Sequence, residues 1–171
     1  MINNKINRSN IRTALVGTIA VLTLMLSNVA TAQEGHLKVT SKVQKMTVVN
    51  NNGKVSYQFS PATKVLPGET VQYNTFFENI SAKPADNIKI VNPIPENLVY
   101  LPNSANGTNT NIMFSVDGGR NYGKAGTLRV KRSDGKVHLA KPSDYTHIQW
   151  QYLGNLAPKA KQAVAFRARL L

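Results

Sequence analysis

Apolar and polar residues alternate with a period of two along most of the chain. Leu37 and Val39 alternate with Lys38 and Thr40, and Val43 continues that face. Val55, Tyr57 and Phe59 alternate with Lys54, Ser56 and Gln58. Val71, Tyr73, Thr75 and Phe77 share one face of a further segment, with Gln72, Asn74, Phe76 and Glu78 on the other. The same rhythm returns at Thr146, Ile148, Trp150 and Tyr152, and at Val164, Phe166, Ala168 and Leu170. Side chains that switch faces at every residue are the mark of a half-buried strand.

Turn chemistry separates these segments. Asn50 to Asn52 followed by Gly53 supplies residues that tolerate positive φ, which a tight hairpin needs. Pro67-Gly68 reads as a type II turn, with Pro fixing φ and Gly taking the left-handed site. Ser133-Asp134-Gly135 predicts a hairpin joining Leu128 and Val130 to Val137 and Leu139. Pro93 and Pro95 remove backbone donors, so their segment is neither helix nor central strand. About eight to ten short strands with frequent turns predict an all-β protein, an antiparallel sandwich. No helix-period segment follows position 33, which argues against alternating strand–helix folds and their nucleotide sites. An outer-membrane barrel needs strands of about 9–11 residues bearing a continuous lipid-facing band. Here the segments are shorter, interrupted by Pro, and carry Lys, Arg and Gln at mid-strand.

The first 32 residues follow different rules and read as a signal peptide. Lys5, Arg8 and Arg12 give a positive start without acids, and an apolar run extends from Ala14 to Leu26. Ala30 and Ala32 fit the small-x-small cleavage pattern, which places the cut before Gln33. A helix over Ala14 to Leu26 reaches roughly 20 Å, short of the about 30 Å of a bilayer core. The expectation is therefore a cleaved leader, no membrane span afterwards, and an exported product in the periplasm, at the surface or in the medium. Residues 33–61 form an N-terminal segment of strands that adds to the sandwich or is donated to a neighbour. Residues 62–171 form the sandwich itself.

Composition narrows the chemistry. The chain has 171 residues, 21 Lys and Arg against 8 Asp and Glu, and no cysteine. An exported chain without cysteine has no disulfide framework, so the core carries the whole fold. Thiol catalysis and thiolate metal sites are likewise excluded. His36, His138 and His147 lie far apart and lack the spacing of a metal-ligand pair. Asp117-Gly118-Gly119 lacks the alternating acids of a calcium loop and reads as a turn. With no close carboxylate pair and no Gly-x-Ser-x-Gly elbow, no catalytic, metal or cofactor residues are assigned.

Several motifs go beyond alternation. Val65-Leu66-Pro67-Gly68-Glu69-Thr70-Val71-Gln72-Tyr73-Asn74 is followed by Phe77-Glu78-Asn79. Pro84-Ala85-Asp86-Asn87-Ile88 leads to Val91-Asn92-Pro93-Ile94-Pro95-Glu96-Asn97-Leu98-Val99-Tyr100. Then come Phe114-Ser115-Val116-Asp117-Gly118-Gly119, Asp144-Tyr145-Thr146-His147-Ile148-Gln149-Trp150, Leu156-Ala157-Pro158 and Val164-Ala165-Phe166-Arg167-Ala168. In this order they resemble the bacterial domain of unknown function 11 family, immunoglobulin-like repeat modules of secreted and cell-surface proteins. Ala157-Pro158-Lys159-Ala160 departs from it, since the family has Pro-Gly at that corner. The resemblance implies an immunoglobulin-like sandwich of the bacterial envelope, and carries over no catalytic residues.

One feature points outward. Arg120, Lys124, Arg129, Lys131, Arg132, Lys136 and Lys141 crowd a stretch in which Asp134 is the only acid. Such a patch concentrates polyanions: lipopolysaccharide, acidic polysaccharide or extracellular DNA. Lysines on edge strands also block sheet-to-sheet aggregation, which is the plainer account. Without a recognition helix or an aromatic ladder, specific nucleic-acid recognition is not expected. Trp150 belongs on a core face; a stacking platform for sugar rings is the alternative, with Phe76, opposite in direction to Phe77, as the other candidate, but packing is the plainer account of Phe76 as well. The expectation is a non-enzymatic structural or interaction module that contacts an envelope protein or an anionic polymer.

Overall fold

The computed structural model describes residues 36–171. The segment expected to be a signal peptide, with Ala30, Ala32 and Gln33 at its expected cut, lies outside the described residues. What is described is all-β apart from one short 3-10 turn at Pro142–Asp144. Two antiparallel sheets pack face to face as a sandwich, and a small two-stranded ribbon adjoins them.

The strands, in chain order, are β1 (Leu37–Asn51), β2 (Lys54–Pro61), β3 (Thr70–Asn79), β4 (Lys89–Pro93), β5 (Leu98–Tyr100), β6 (Asn106–Gly107), β7 (Thr110–Ser115), β8 (Arg129–Lys131), β9 (Val137–Leu139), β10 (His147–Tyr152) and β11 (Lys161–Leu170). The larger sheet runs β2-β1-β3-β11-β5, with β6 also pairing β11. The smaller sheet runs β4-β10-β7, and β8 with β9 forms the ribbon. Both larger sheets have open edges. No helix among the described residues is long and apolar enough to cross a membrane.

Each sheet turns its apolar alternates inward. On β3 these are Val71, Thr75 and Phe77, and on β11 Val164, Phe166 and Ala168, all buried. They meet Ile90 of β4, Phe114 of β7, and Ile148 and Trp150 of β10. Tyr73 stacks on Phe166 with ring centres 4.8 Å apart, and Trp150 lies 6.2 Å from the same ring. Tyr145 and Tyr100 close the far end around Phe114, at 4.6 and 5.0 Å. Trp150 is wholly buried, and its indole N–H has no hydrogen-bond partner. An orphan donor of that kind costs about 1–3 kcal/mol, less than the burial of so large a ring contributes.

Three places depart from the sequence reading. The alternation in β1 predicts a buried face through Val39 and Val43, yet Val39 is 52% exposed and Val43 is 36% exposed. Both face the same side as Phe77 and Tyr73 in the register with β3. The smaller sheet has too few strands to reach across β1, so a core-type pattern is left uncovered. Residues 103–111, whose Asn, Ser, Gly and Thr suit a surface loop, contain β6. Gly107 is required there, because a Cβ would sit 2.8 Å from the Val164 Cγ1 of the strand it pairs with. Asn79, polar and followed by Ser81, Lys83 and Asp86 as in a surface connection, is nonetheless fully buried. Its amide donates to the Lys83 and Leu156 carbonyls at 2.7 and 2.8 Å, while its oxygen accepts from the Ser81 N–H at 2.9 Å.

Candidate functional site

The basic stretch folds as the β8–β9 ribbon and its flanks. Arg129 and Lys131 are exposed on one face of β8, with Val130 half-buried between them. The chain reverses through Arg132–Lys136, closed by the Gly135 N–H to the Arg132 carbonyl at 2.9 Å. Gly135 takes φ 78°, which only Gly adopts without strain.

Arg132 does not belong to the open patch. Its guanidinium donates to both oxygens of Asp144, at 3.0 and 2.7 Å. The same carboxylate accepts the Lys141 N–H at 2.7 Å. A fork on a carboxylate is a positioning contact, and here it ties the ribbon to the 3-10 turn. Asp134 is also occupied: it accepts the Lys136 N–H at 2.9 Å and lies 2.9 Å from His138 Nε2. These contacts, the backbone bond first and His138 second, lower its pKa. Asp117 accepts from the Ser115 hydroxyl at 2.7 Å and from the Arg120 and Asn121 N–H groups at 3.1 and 3.0 Å. Its other oxygen takes the Asn121 amide at 2.7 Å. The Asn121 and Ser115 contacts hold its carboxyl far below the usual range. The three acids of the region are thus consumed by local structure. Arg120, Lys124, Arg129, Lys131, Lys136 and Lys141 stay exposed.

The concavities carry little chemistry. A depression of about 560 Å³ is lined by His36, Leu37, Ser81, Lys83, Asp86 and Lys89, among others. Its one hydroxyl, on Ser81, lies 2.8 Å from both Asn79 Oδ1 and the Lys83 carbonyl. A second hollow of about 310 Å³, lined by Val43, Val65, Tyr73, Asn97, Leu98 and Leu170, mixes polar and apolar surface and holds no charged group. Among the described residues no group of three His, Asp or Glu side chains could hold a metal. His147 sits beside Thr146 at 3.2 Å, away from the His138–Asp134 contact.

Exposed apolar groups gather instead on the outer face of the larger sheet. The registers place Met46 and Val48 of β1, Val55, Tyr57 and Phe59 of β2 and Phe76 of β3 on that face. Phe76 is 47% exposed, against the packing expected of it, because nothing among the described residues covers the outer face of β3 there, and Tyr57 is 54% exposed. Arg167 of β11 shares the face, with its guanidinium 5.7 Å from the Tyr57 ring centre and 3.5 Å from the Met46 sulfur. An amide chain runs alongside, from Gln72 to Asn74 at 2.9 Å and from Asn74 to Gln44 at 3.2 Å. Sequence reasoning missed this grouping. The alternation that marks it was legible, but which strand lay beside which was not.

No family model matches the chain, and no curated protein matches it.

Proposed function

We propose that this protein is an exported, non-enzymatic structural or interaction module of a bacterial envelope. The resemblance of residues 62–171 to immunoglobulin-like surface repeats and the leader-like start of the chain support that reading. The observation that carries it is where the reactive surface lies. Exposed Val48, Val55, Tyr57, Phe59 and Phe76 crowd one open sheet face, and large exposed apolar groups so placed mark contact with other molecules. The test is fractionation of the producing cell with N-terminal sequencing. A product beginning at Gln33 in the periplasm or medium, inert toward ester and glycoside substrates, fits. Cytoplasmic protein with an intact leader overturns the reading.

A second reading has its own support. With Asp144 paired to Arg132, the exposed Arg120, Lys124, Arg129, Lys131, Lys136 and Lys141 outnumber Asp117 and Asp134, which keep their charge within local hydrogen bonds. We infer a polyanion-binding surface there, in which Arg129 and Lys131 contribute most directly. The mature protein then stays on immobilised heparin above about 0.15 M salt, where the screening length is about 8 Å. Arg129→Glu with Lys131→Glu moves elution to lower salt. Elution unchanged by the pair discards this reading. Arg132 is unsuitable for the test, because its loss breaks the Asp144 fork.

A further inference from the structure

We propose that the β2 edge is a self-pairing strand, which joins two copies of this chain antiparallel about a two-fold axis at Tyr57. The proposal deepens the interaction-module reading by naming its partner. It is read from oligomeric state, so failure of export or of heparin binding leaves it intact.

β2 differs from the other strand edges. β4 is guarded by Lys89 and Pro93, and β7 by the Phe114–Gly123 bridge with backbone bonds of 2.8 and 2.9 Å. β5 spans three residues only. Charge, proline, cover and brevity are the usual protections of an open edge. β2 has Lys54 and Pro61 at its ends, as β4 has Lys89 and Pro93, but where β4 leaves three residues between them β2 leaves six: Val55-Ser56-Tyr57-Gln58-Phe59-Ser60 has no charge and no proline, and every residue is exposed.

The hairpin also outruns its support. β1 pairs with β3 from Leu37 to Met46 and with β2 from Gln44 to Asn51. Beyond Met46 the sheet is two strands wide, and an isolated two-stranded ribbon is marginal in water. A second copy makes that ribbon four strands wide.

The backbone selects the register. Asn52 and Gly53 take φ 52° and 85°, as a two-residue I′ hairpin requires. The flanking pair Asn51 and Lys54 then exchanges both backbone bonds, and so does every second pair after it. Ser56, Gln58 and Ser60 thereby spend their polar groups on β1. Val55, Tyr57 and Phe59 turn theirs to the open edge. Centring two copies on Tyr57 sets Tyr57 against the partner's Tyr57 and Val55 against the partner's Phe59. All the edge-facing N–H and C=O groups of Val55, Tyr57 and Phe59 are then paired. The side chains of these pairs share one face, where aromatic–aromatic and aromatic–β-branched neighbours are favourable. Pro61, with no N–H, falls opposite the partner's Gly53, outside the ladder. Lys54 faces the partner's Ser60, so no like charges oppose. Shifting the register by two residues leaves some of these groups unpaired.

The absence of native cysteine makes the register measurable. In the full chain, Tyr57→Cys brings two thiols together across the axis, with Cα atoms about 5.5 Å apart and within the disulfide range of about 4.4–6.8 Å. Mild oxidation is expected to give a covalent dimer from Tyr57→Cys and from the Val55→Cys/Phe59→Cys pair. Val55→Cys alone gives no covalent dimer, since its nearest copy is about 14 Å away along the strand. Sedimentation equilibrium of the cysteine-free protein shows a monomer–dimer equilibrium, and Tyr57→Lys, which sets like charges face to face, weakens it at least about tenfold. A monomer at every concentration, a dimer indifferent to Tyr57→Lys, or cross-linking without positional preference overturns the proposal. A Tyr57→Cys chain that instead forms a mixed disulfide with another envelope protein overturns it in favour of a foreign strand.

Discussion

Asp117 organises its loop through one ionised carboxylate. It accepts bonds from Ser115, Arg120 and Asn121 while Gly118 and Gly119 take φ 75° and 84° around it. Folding therefore lowers its pKa from the ordinary value of about 4. A group depressed in the folded state contributes stability that is fully present above its unfolded pKa and is lost as pH falls through the folded one. Glu69, held down by Lys45 at 2.6 Å and the Leu66 N–H, shifts the same way, as does Asp134. Denaturation midpoints should be flat from about pH 5 to 8 and should decline below about pH 4. Asp117→Asn should lie below the wild type at neutral pH and converge with it toward pH 2. Parallel pH curves for the two proteins would exclude Asp117 as a source of the acid sensitivity.

At the scale of elements, the ribbon β8–β9 hangs on few anchors. The Arg132–Asp144 fork is the main polar one, with half-buried Leu128 and Val130 packed against the core beside it. Val137 and Leu139 are exposed, so little apolar burial holds the ribbon down. Arg132→Ala is expected to cost about 1–2 kcal/mol, the range of a partly exposed charged pair with good geometry. The loss should be local: amide exchange accelerates in Val130 and His138, which pair across the ribbon, while Ile148 and Phe166 keep their protection. Uniform loss of protection would mean that the ribbon is integral to the core. Elements such as these were legible in the sequence wherever turn chemistry is local. Asn52, Gly53, Gly68 and Gly135 all take the positive φ their turns demand, and each lies between two strands where the alternation stops. Pairings between distant strands were not legible. Asp144 lies just past the basic stretch, and its hold on Arg132 depends on the 3-10 turn folding back. The uncovered face of β1 depends likewise on how many strands oppose it, which no local pattern encodes.

Taken whole, the molecule divides its stability unevenly. The sandwich holds Trp150, Phe166, Phe77, Ile148 and Val164 wholly or almost wholly buried. The end of the β1–β2 hairpin holds no buried residue, so its main tertiary restraint is Arg167 reaching Tyr57 and Met46. Exposed cation–π contacts contribute about 0.5–1 kcal/mol. Replacing residues 48–57 by Asn-Gly leaves Thr47 and Gln58 as the closing pair, which keeps the hydrogen-bonded register of the parent hairpin. The shortened chain loses Val48, Val55 and Tyr57 but none of the core. Its thermal midpoint is expected within about 4 °C of the parent, equivalent to about 1 kcal/mol in a domain of this size. Its self-association should vanish at the same time, because the open ladder of Val55 and Tyr57 is gone. A large fall in midpoint would place the hairpin inside the cooperative unit, and persistent association would move the contact to another face. Stability and association are thus separable by one substitution, as a fold that keeps its exposed rings on a dispensable extension requires.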